Sequence, residues 1–557
     1  MLTSFLTPVL LSFLLFPTHI LAAPAGLRIS IPKVDPRKIL CQFAIIDRFL
    51  CPDGGLNSLS RVTPLGTASG VMDPDGAHRY VVKYANAARW APSTLVNTWS
   101  LPNGSNDPSA LPRVCPQTDI EPSTYSEDCL SLVLYVPPSL TPLSSNAPVM
   151  VWIHGGSFVV GSATEAGLDG SKLALATGSI VVVVQYRLGA LGFLAPNGNT
   201  NLAVKDVVNA LQFLKNNVAY FGGSPNKVTL AGQSSGANMI RTLLGAPSAS
   251  SLFRSAILQS DPMNFGLLRP NNQATMMGHF TGKIGCNSAS CQNSVSLDSI
   301  LQAQREIFGE AVWWDPVFGL GQPIRPVLDG TFFTNPIEPG ASFPSSVNKP
   351  LLVTTVKHEG ISAIYKSFDP VDADFYDFIC GLTFQSRTTT IQQSPFYVNP
   401  PANIVDGVHD FRPTLALMAT DYLYKCSGWS FGKAYAEKGG QVFLGEYAIG
   451  ATYPDNADVP ECSSPDTVCH QDDIQIVFGT VPNPTPAQSA LITQMQQWYK
   501  SFLQNNSPNA PGLPNWPAAT SSDPRAIVLG GTGSPSAGAC DPAFWGAQAE
   551  YDYQFFY

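Results

Sequence analysis

Charge is scarce in this chain. Only 13% of its 557 residues are Asp, Glu, Lys or Arg, against roughly 25% in an average soluble domain. The net charge is −9, and no cluster of Lys or Arg interrupts the sequence. That balance argues against nucleic acid or an anionic membrane surface as partner, and a neutral or cationic small molecule is easier to accommodate. After the N-terminus no window offers about eighteen uninterrupted apolar residues, so no transmembrane anchor is expected. No CxxC pair and no His/Cys group at zinc spacing occurs, so the expected metal and cofactor content is none. Internal repeats and low-complexity blocks are missing too, and no feature calls for an obligate protein partner.

Apolar residues make up 44% of the chain, and 46 Gly and 48 Pro are spread along its whole length, which fits a large core with many ordered loops. The first 25 residues read as a secretory leader cut near residues 22–25, although no Lys or Arg precedes the apolar run. The mature chain, 26–557, is then expected outside the cell. Eleven Cys suit that setting. Their spacing proposes local disulfides between Cys115 and Cys129, Cys286 and Cys291, and Cys462 and Cys469. Cys41, Cys51, Cys380, Cys426 and Cys540 stay unassigned, and their odd number leaves at least one thiol free or paired outside the chain. Asn103 and Asn505 open glycosylation sequons.

From Pro148 onward, continuous apolar runs alternate with amphipathic stretches: Val149 to Ile153, Ile180 to Tyr186, Lys227 to Gly232, Leu351 to Val356 and Gln441 to Gly445. Continuous apolarity fits strands buried on both faces. Between the second and third runs, Val207, Ala210, Leu211, Leu214 and Val218 recur at helical spacing. The fold class is therefore α/β, a mostly parallel central sheet with helices on both faces. The irregular, partly helical stretches at about 262–314 and 367–438 read as insertions into one domain.

Gly232-Gln233-Ser234-Ser235-Gly236 lies between a buried strand and an amphipathic helix. Two flanking glycines permit a sharp turn that lifts a serine hydroxyl above the sheet at a helix N-terminus. The five-residue pattern alone is weak, because about a quarter of chains of this composition would hold one by chance. This chain holds two. Around Gly428-Trp429-Ser430-Phe431-Gly432 the apolar residues recur at helical spacing and no strand precedes the glycine, so Ser430 is read as structural. A nucleophilic serine also needs donors for the oxyanion it creates. The strand ending at Ile153 runs into His154-Gly155-Gly156-Ser157-Phe158, and the N–H groups of Gly156, Ser157 and Ser235 would form a three-donor hole.

Together with Ser126-Glu127-Asp128-Cys129-Leu130, Tyr186 to Phe193, Phe221 to Val228, Pro326 to Gly330 and Cys469-His470-Gln471-Asp472-Asp473, these motifs resemble the type-B carboxylesterase and cholinesterase family of α/β-hydrolases. The similarity runs from about Thr67 to Trp545. The resemblance implies that Glu359, followed by Gly360 just beyond a strand, is the acid and that His470 is the base. Of the seven His, only His409 also follows the acid in chain order, and it lacks the signature. The resemblance further implies ion pairs between Arg187 and Asp206 and between Arg89 and Glu127.

The implied activity is hydrolysis of a small carboxylic ester by a Ser-His-Glu triad through an acyl-enzyme. Departures from the family narrow it. Gln233 stands where the family usually has Glu, which weakens the case for a choline ester, and Ser157 replaces a third Gly, which narrows the alcohol side. The loop from Cys115 to Cys129 is much shorter than the lid-bearing loop of the family's long-lidded lipases. A lipase or sterol esterase on lipid aggregates, a pathway-specific tailoring esterase and a catalytically silent binding protein are the alternatives.

Overall fold

The computed structural model describes residues 58–338, 348–401 and 403–556. The expected leader, Cys41 and Cys51 lie outside the described residues. Ten strands form the central sheet: β1 (Val71–Met72), β2 (His78–Lys83), β3 (Ser131–Val136), β4 (Ala147–Ile153), β5 (Ile180–Val184), β6 (Gly223–Gln233), β7 (Ser255–Gln259), β8 (Leu351–Val356), β9 (Val442–Tyr447) and β10 (Ile527–Leu529). Their spatial order is β10-β9-β8-β7-β6-β4-β5-β3-β2-β1. Every pairing from β10 to β5 is parallel, and β3, β2 and β1 extend that edge antiparallel. The chain has the α/β-hydrolase fold.

The reason for unbroken apolarity is visible in how alternate residues part. Val149, Val151 and Ile153 of β4 enter one core, while Met150 and Trp152 enter the other. β5 divides in the same way, with Ile180, Val182 and Val184 on the first side and Val181 and Val183 on the second. Helices α1 (Ser171–Thr177) and, near the C-terminus, Pro486–Asn505 cover the second face. The first face is covered by α2 (Leu202–Asn217) and α3 (Ser235–Leu244), whose apolar stripes carry Val207, Leu211, Leu214, Met239 and Ile240. Each large buried side chain of this kind contributes about 1.5–3 kcal/mol.

The order in which strands are added reverses around β4, which pairs in parallel with β5 on one side and β6 on the other. A crevice opens at the carboxyl ends of strands at such a switch point. The chain also forms α4 (Pro270–Ile284), α5 (Leu297–Trp314), α6 (Gly360–Ser367) and α7 (Ala373–Phe384). One further helix runs unbroken from α8 (Arg412–Ala419) through a wide π turn, Thr420–Lys425, into α9 (Cys426–Glu437). The C-terminal half of that helix reaches the sheet itself, with Gly432 against Leu444 of β9. A disulfide from Cys426 to Cys540 ties it to the tail. Among the described residues no helix is long and apolar enough to cross a membrane.

Candidate active site

At the end of β6 the backbone of Ser234 takes φ 56° and ψ −128°, a conformation that costs an L-residue about 1–3 kcal/mol and needs outside support. That support comes from the Ser234 N–H, which donates to the Gln259 carbonyl (2.9 Å), and from the Ser234 carbonyl, which accepts from the Asn238 N–H (3.0 Å). Gly236 is fixed by the close approach of α3 to β4, because a Cβ there would lie 2.1 Å from the Ile153 carbonyl oxygen. Ser234 is left 8% exposed at the positive end of a ten-residue helix.

Beyond β4, positive φ at Gly156 (107°), Ser157 (52°) and Phe158 (63°) curls the chain back on itself. The Val159 and Val160 N–H groups donate to the Gly156 carbonyl, and the Phe158 N–H donates to Ser235 Oγ (3.2 Å), which clips this loop to the elbow. Among the described residues the N–H groups of Gly156, Ser157 and Ser235 bond no partner. His154 serves as scaffold. Its ring stacks on Tyr186 at 4.5 Å, and burial pushes its imidazole down to about 4.

Glu359 leaves the end of β8 fully buried. One carboxylate oxygen accepts from the Val356 N–H (2.8 Å), and the other lies 2.6 Å from His470 Nδ1. The histidine loop is strapped to the acid's turn by the His358 N–H donating to the Val468 carbonyl (2.9 Å) and by the Val468 N–H donating to His358 Nδ1 (3.2 Å). Inside the loop Asp472 accepts from the N–H groups of Cys469 and Tyr453 and from the Asn456 amide, which also holds the His470 carbonyl. Burial pushes the Asp472 carboxyl up to about 6 despite those donors. Tyr424, in the wide turn, packs its ring 5.1 Å from the imidazole.

Glu359 and His470 are thus in contact, and Ser234 sits on the turn beside them. The hydrogen bond at His470 Nε2, however, is to Nε2 of Gln233 (3.1 Å), and among the described residues none joins His470 to Ser234 Oγ. Sequence reasoning singled out Gln233 only as a departure from the family and did not find Asn456 or Tyr424. Asp472 stood inside a quoted motif and was the one signal available.

The other expected residues fall as follows. Ser430 lies within α9, where its hydroxyl accepts from the Tyr553 hydroxyl (3.2 Å). Cys115–Cys129, Cys286–Cys291 and Cys462–Cys469 are bonded, and Cys380 is a buried free thiol. Asn103 and Asn505 are exposed. Arg187 grips Asp206 through two bonds of 2.7 Å, and Arg89 bonds Glu127 at 2.8 Å. His409 lies away from the acid, bonded to Asn399 and the Pro400 carbonyl. One set of possible metal ligands occurs among the described residues, Asp421, Cys426 and Cys540, but its two sulfurs are joined to each other.

A model of the carboxylesterase family matches residues 73–539. The chain belongs to that family. Among its relatives are mouse carboxylesterase 3B, 30% identical over 70% of this chain and 69% of that protein, and the para-nitrobenzyl esterase of Bacillus subtilis strain 168, 28% identical over 76% and 84%. The cAMP-regulated D2 protein of Dictyostelium discoideum is 28% identical over 84% of this chain and 88% of its own. A solved structure titled PNB esterase superposes with a TM-score of 0.69 over 84% of this chain and 95% of that one, at 24% identity, and shares the fold. This carboxylesterase is a carboxylic ester hydrolase.

Proposed function

We propose that the chain is a secreted serine esterase in which Ser234 is the nucleophile, His470 the general base and Glu359 the group that orients it. The contact that carries this reading is the 2.6 Å pair of buried Glu359 and His470 beside the strained Ser234 turn. Ser234 Oγ attacks the ester carbonyl as His470 takes its proton, and Glu359 holds the tautomer and stabilises the imidazolium. The oxyanion rests on the N–H groups of Gly156, Ser157 and Ser235. His470 then protonates the departing alcohol, and water cleaves the acyl-enzyme by the same route. Export is supported by four disulfides among the described residues, with glycans at Asn103 and Asn505.

The expected substrate is a small uncharged ester, because Gln233 puts an amide beside the site instead of a carboxylate. Ser234→Ala is expected to lower turnover of p-nitrophenyl esters by on the order of 10⁴-fold or more and to abolish labelling by an organophosphonate. Wild-type turnover in that variant would sink the assignment. A second reading, hydrolysis at a lipid surface, is favoured by three exposed rings on α5 and α7, Trp313, Phe378 and Phe375, stacked at 5.7 and 5.9 Å. A rate that climbs only above the solubility limit of a short-chain triglyceride would select it.

A further inference from the structure

Gln233 is the last residue of β6 and is fully buried. Its amide nitrogen lies 3.1 Å from Nε2 of His470, whose Nδ1 faces the Glu359 carboxylate at 2.6 Å. A carboxylate accepts, so Nδ1 carries the ring proton and Nε2 presents a lone pair, which accepts from the Gln233 NH₂. Glycine at residue 155 leaves the amide its place. Its Oε1 is buried without a partner and lies 2.8 Å from where a Cβ on residue 155 would stand.

The geometry points to Gln233 as a positioning residue that parks the neutral base away from the nucleophile. The inference rests on the reading of Ser234, His470 and Glu359 given above. In the resting enzyme His470 Nε2 is capped by the Gln233 amide, and it exchanges that donor for the Ser234 hydroxyl when an ester arrives. The exchange depends on protonation. As Ser234 Oγ bonds the acyl carbon, its proton passes to Nε2, and the new N–H can no longer approach the amide N–H because two donors repel. The imidazolium therefore cannot return to Gln233 and is left facing the oxygen of the departing alcohol, which takes the proton as the C–O bond breaks. Water repeats the cycle in deacylation. The ionisable groups around the ring are Glu359 from the turn after β8, Asp472 and Asp473 from its own loop, and Tyr424 from the wide turn. All are common to the variants below.

The test is the rate at which ethyl p-nitrophenyl methylphosphonate modifies Ser234, followed from pH 6 to 9 and located by mass spectrometry. Gln233→Met keeps the length without a donor, and Gln233→Asn is one methylene too short to reach. Both are expected to react roughly threefold faster than wild type at pH 7.5, as a parked fraction is released. In Gln233→Glu the carboxylate accepts from a protonated Nε2, so the rate is expected to fall about tenfold at pH 6 and to recover by pH 9. Two results would overturn the inference: slower reaction of both Met and Asn variants with wild-type melting, or a Glu variant that tracks wild type across the range. Failure of wild type to label at Ser234 would instead strike the triad reading.

Discussion

Ser157 sits in the loop proposed to hold the oxyanion, in a backbone conformation that favours glycine. Its φ of 52° is the left-handed region, where a Cβ costs about 1–2 kcal/mol, so the hydroxymethyl group is held there against a local preference for glycine. On the proposed reading the backbone N–H still donates, while the hydroxymethyl group takes volume from the alcohol side. Ser157→Gly is accordingly expected to raise kcat/KM for esters of tertiary alcohols about tenfold, with little change for ethyl esters, as measured on matched p-nitrobenzoate esters. Equal effects on both alcohols would mean that Ser157 does not limit that pocket. Its identity was legible in the sequence, and so was the motif that holds it. What no sequence pattern could give is the partner of Gln233, because the contact joins residues 237 positions apart.

At the scale of elements, two copies of the same five-residue pattern met different fates. Ser234 ends a strand that is buried on both faces and begins a helix, whereas Ser430 sits inside α9. Ser430→Ala is expected to leave ester turnover within about twofold of wild type, since only the Tyr553 hydroxyl contact is lost. Gly236→Ala is expected to abolish it, because the added methyl would meet the Ile153 carbonyl at 2.1 Å. Steady-state assays of the purified variants decide both. The five runs expected as strands appear as β4, β5, β6, β8 and β9, since their unbroken apolarity records burial on two faces. Strands β1, β2, β3, β7 and β10 are not among the runs expected, although β3 is itself, after Ser131, an unbroken apolar run to Val136. β7 has only five residues, β10 has three, and β2 carries His78, Arg79 and Lys83 among its apolar residues at the antiparallel edge. The long helix from Arg412 to Glu437 was read as part of an insertion, for its periodicity says nothing about which of its turns rests on the sheet.

For the whole molecule, buried ionisable groups make stability depend on pH in opposing directions. Burial pushes the Asp473 carboxyl up to about 7, while it pushes the imidazoles of His154 and His358 down to about 4. An unfolded Asp ionises near 3.9. Between about pH 4 and 7 folded Asp473 therefore keeps a proton that the unfolded chain has released, so its contribution declines as pH rises through that window and is constant above it. The two histidines have the opposite slope: between about pH 4 and 6.5 they are charged only in the unfolded chain, so their contribution rises with pH through that window. Asp473→Asn isolates the acid, and its Tm is expected to gain on wild type from pH 4 to 7 and hold a fixed lead thereafter. A difference in Tm that does not vary with pH would show that Asp473 ionises normally.

The Gly156–Phe158 loop, Ser234, Glu359 and His470 follow β4, β6, β8 and β9 of one hydrogen-bonded sheet. The set spans Gly156 to His470, and the straps between His358 and Val468 hold only while β8 and β9 are registered. Heat inactivation and loss of tertiary structure should consequently follow a single curve. For anyone sorting a library of variants, residual hydrolysis after heating then serves as a head count of intact molecules.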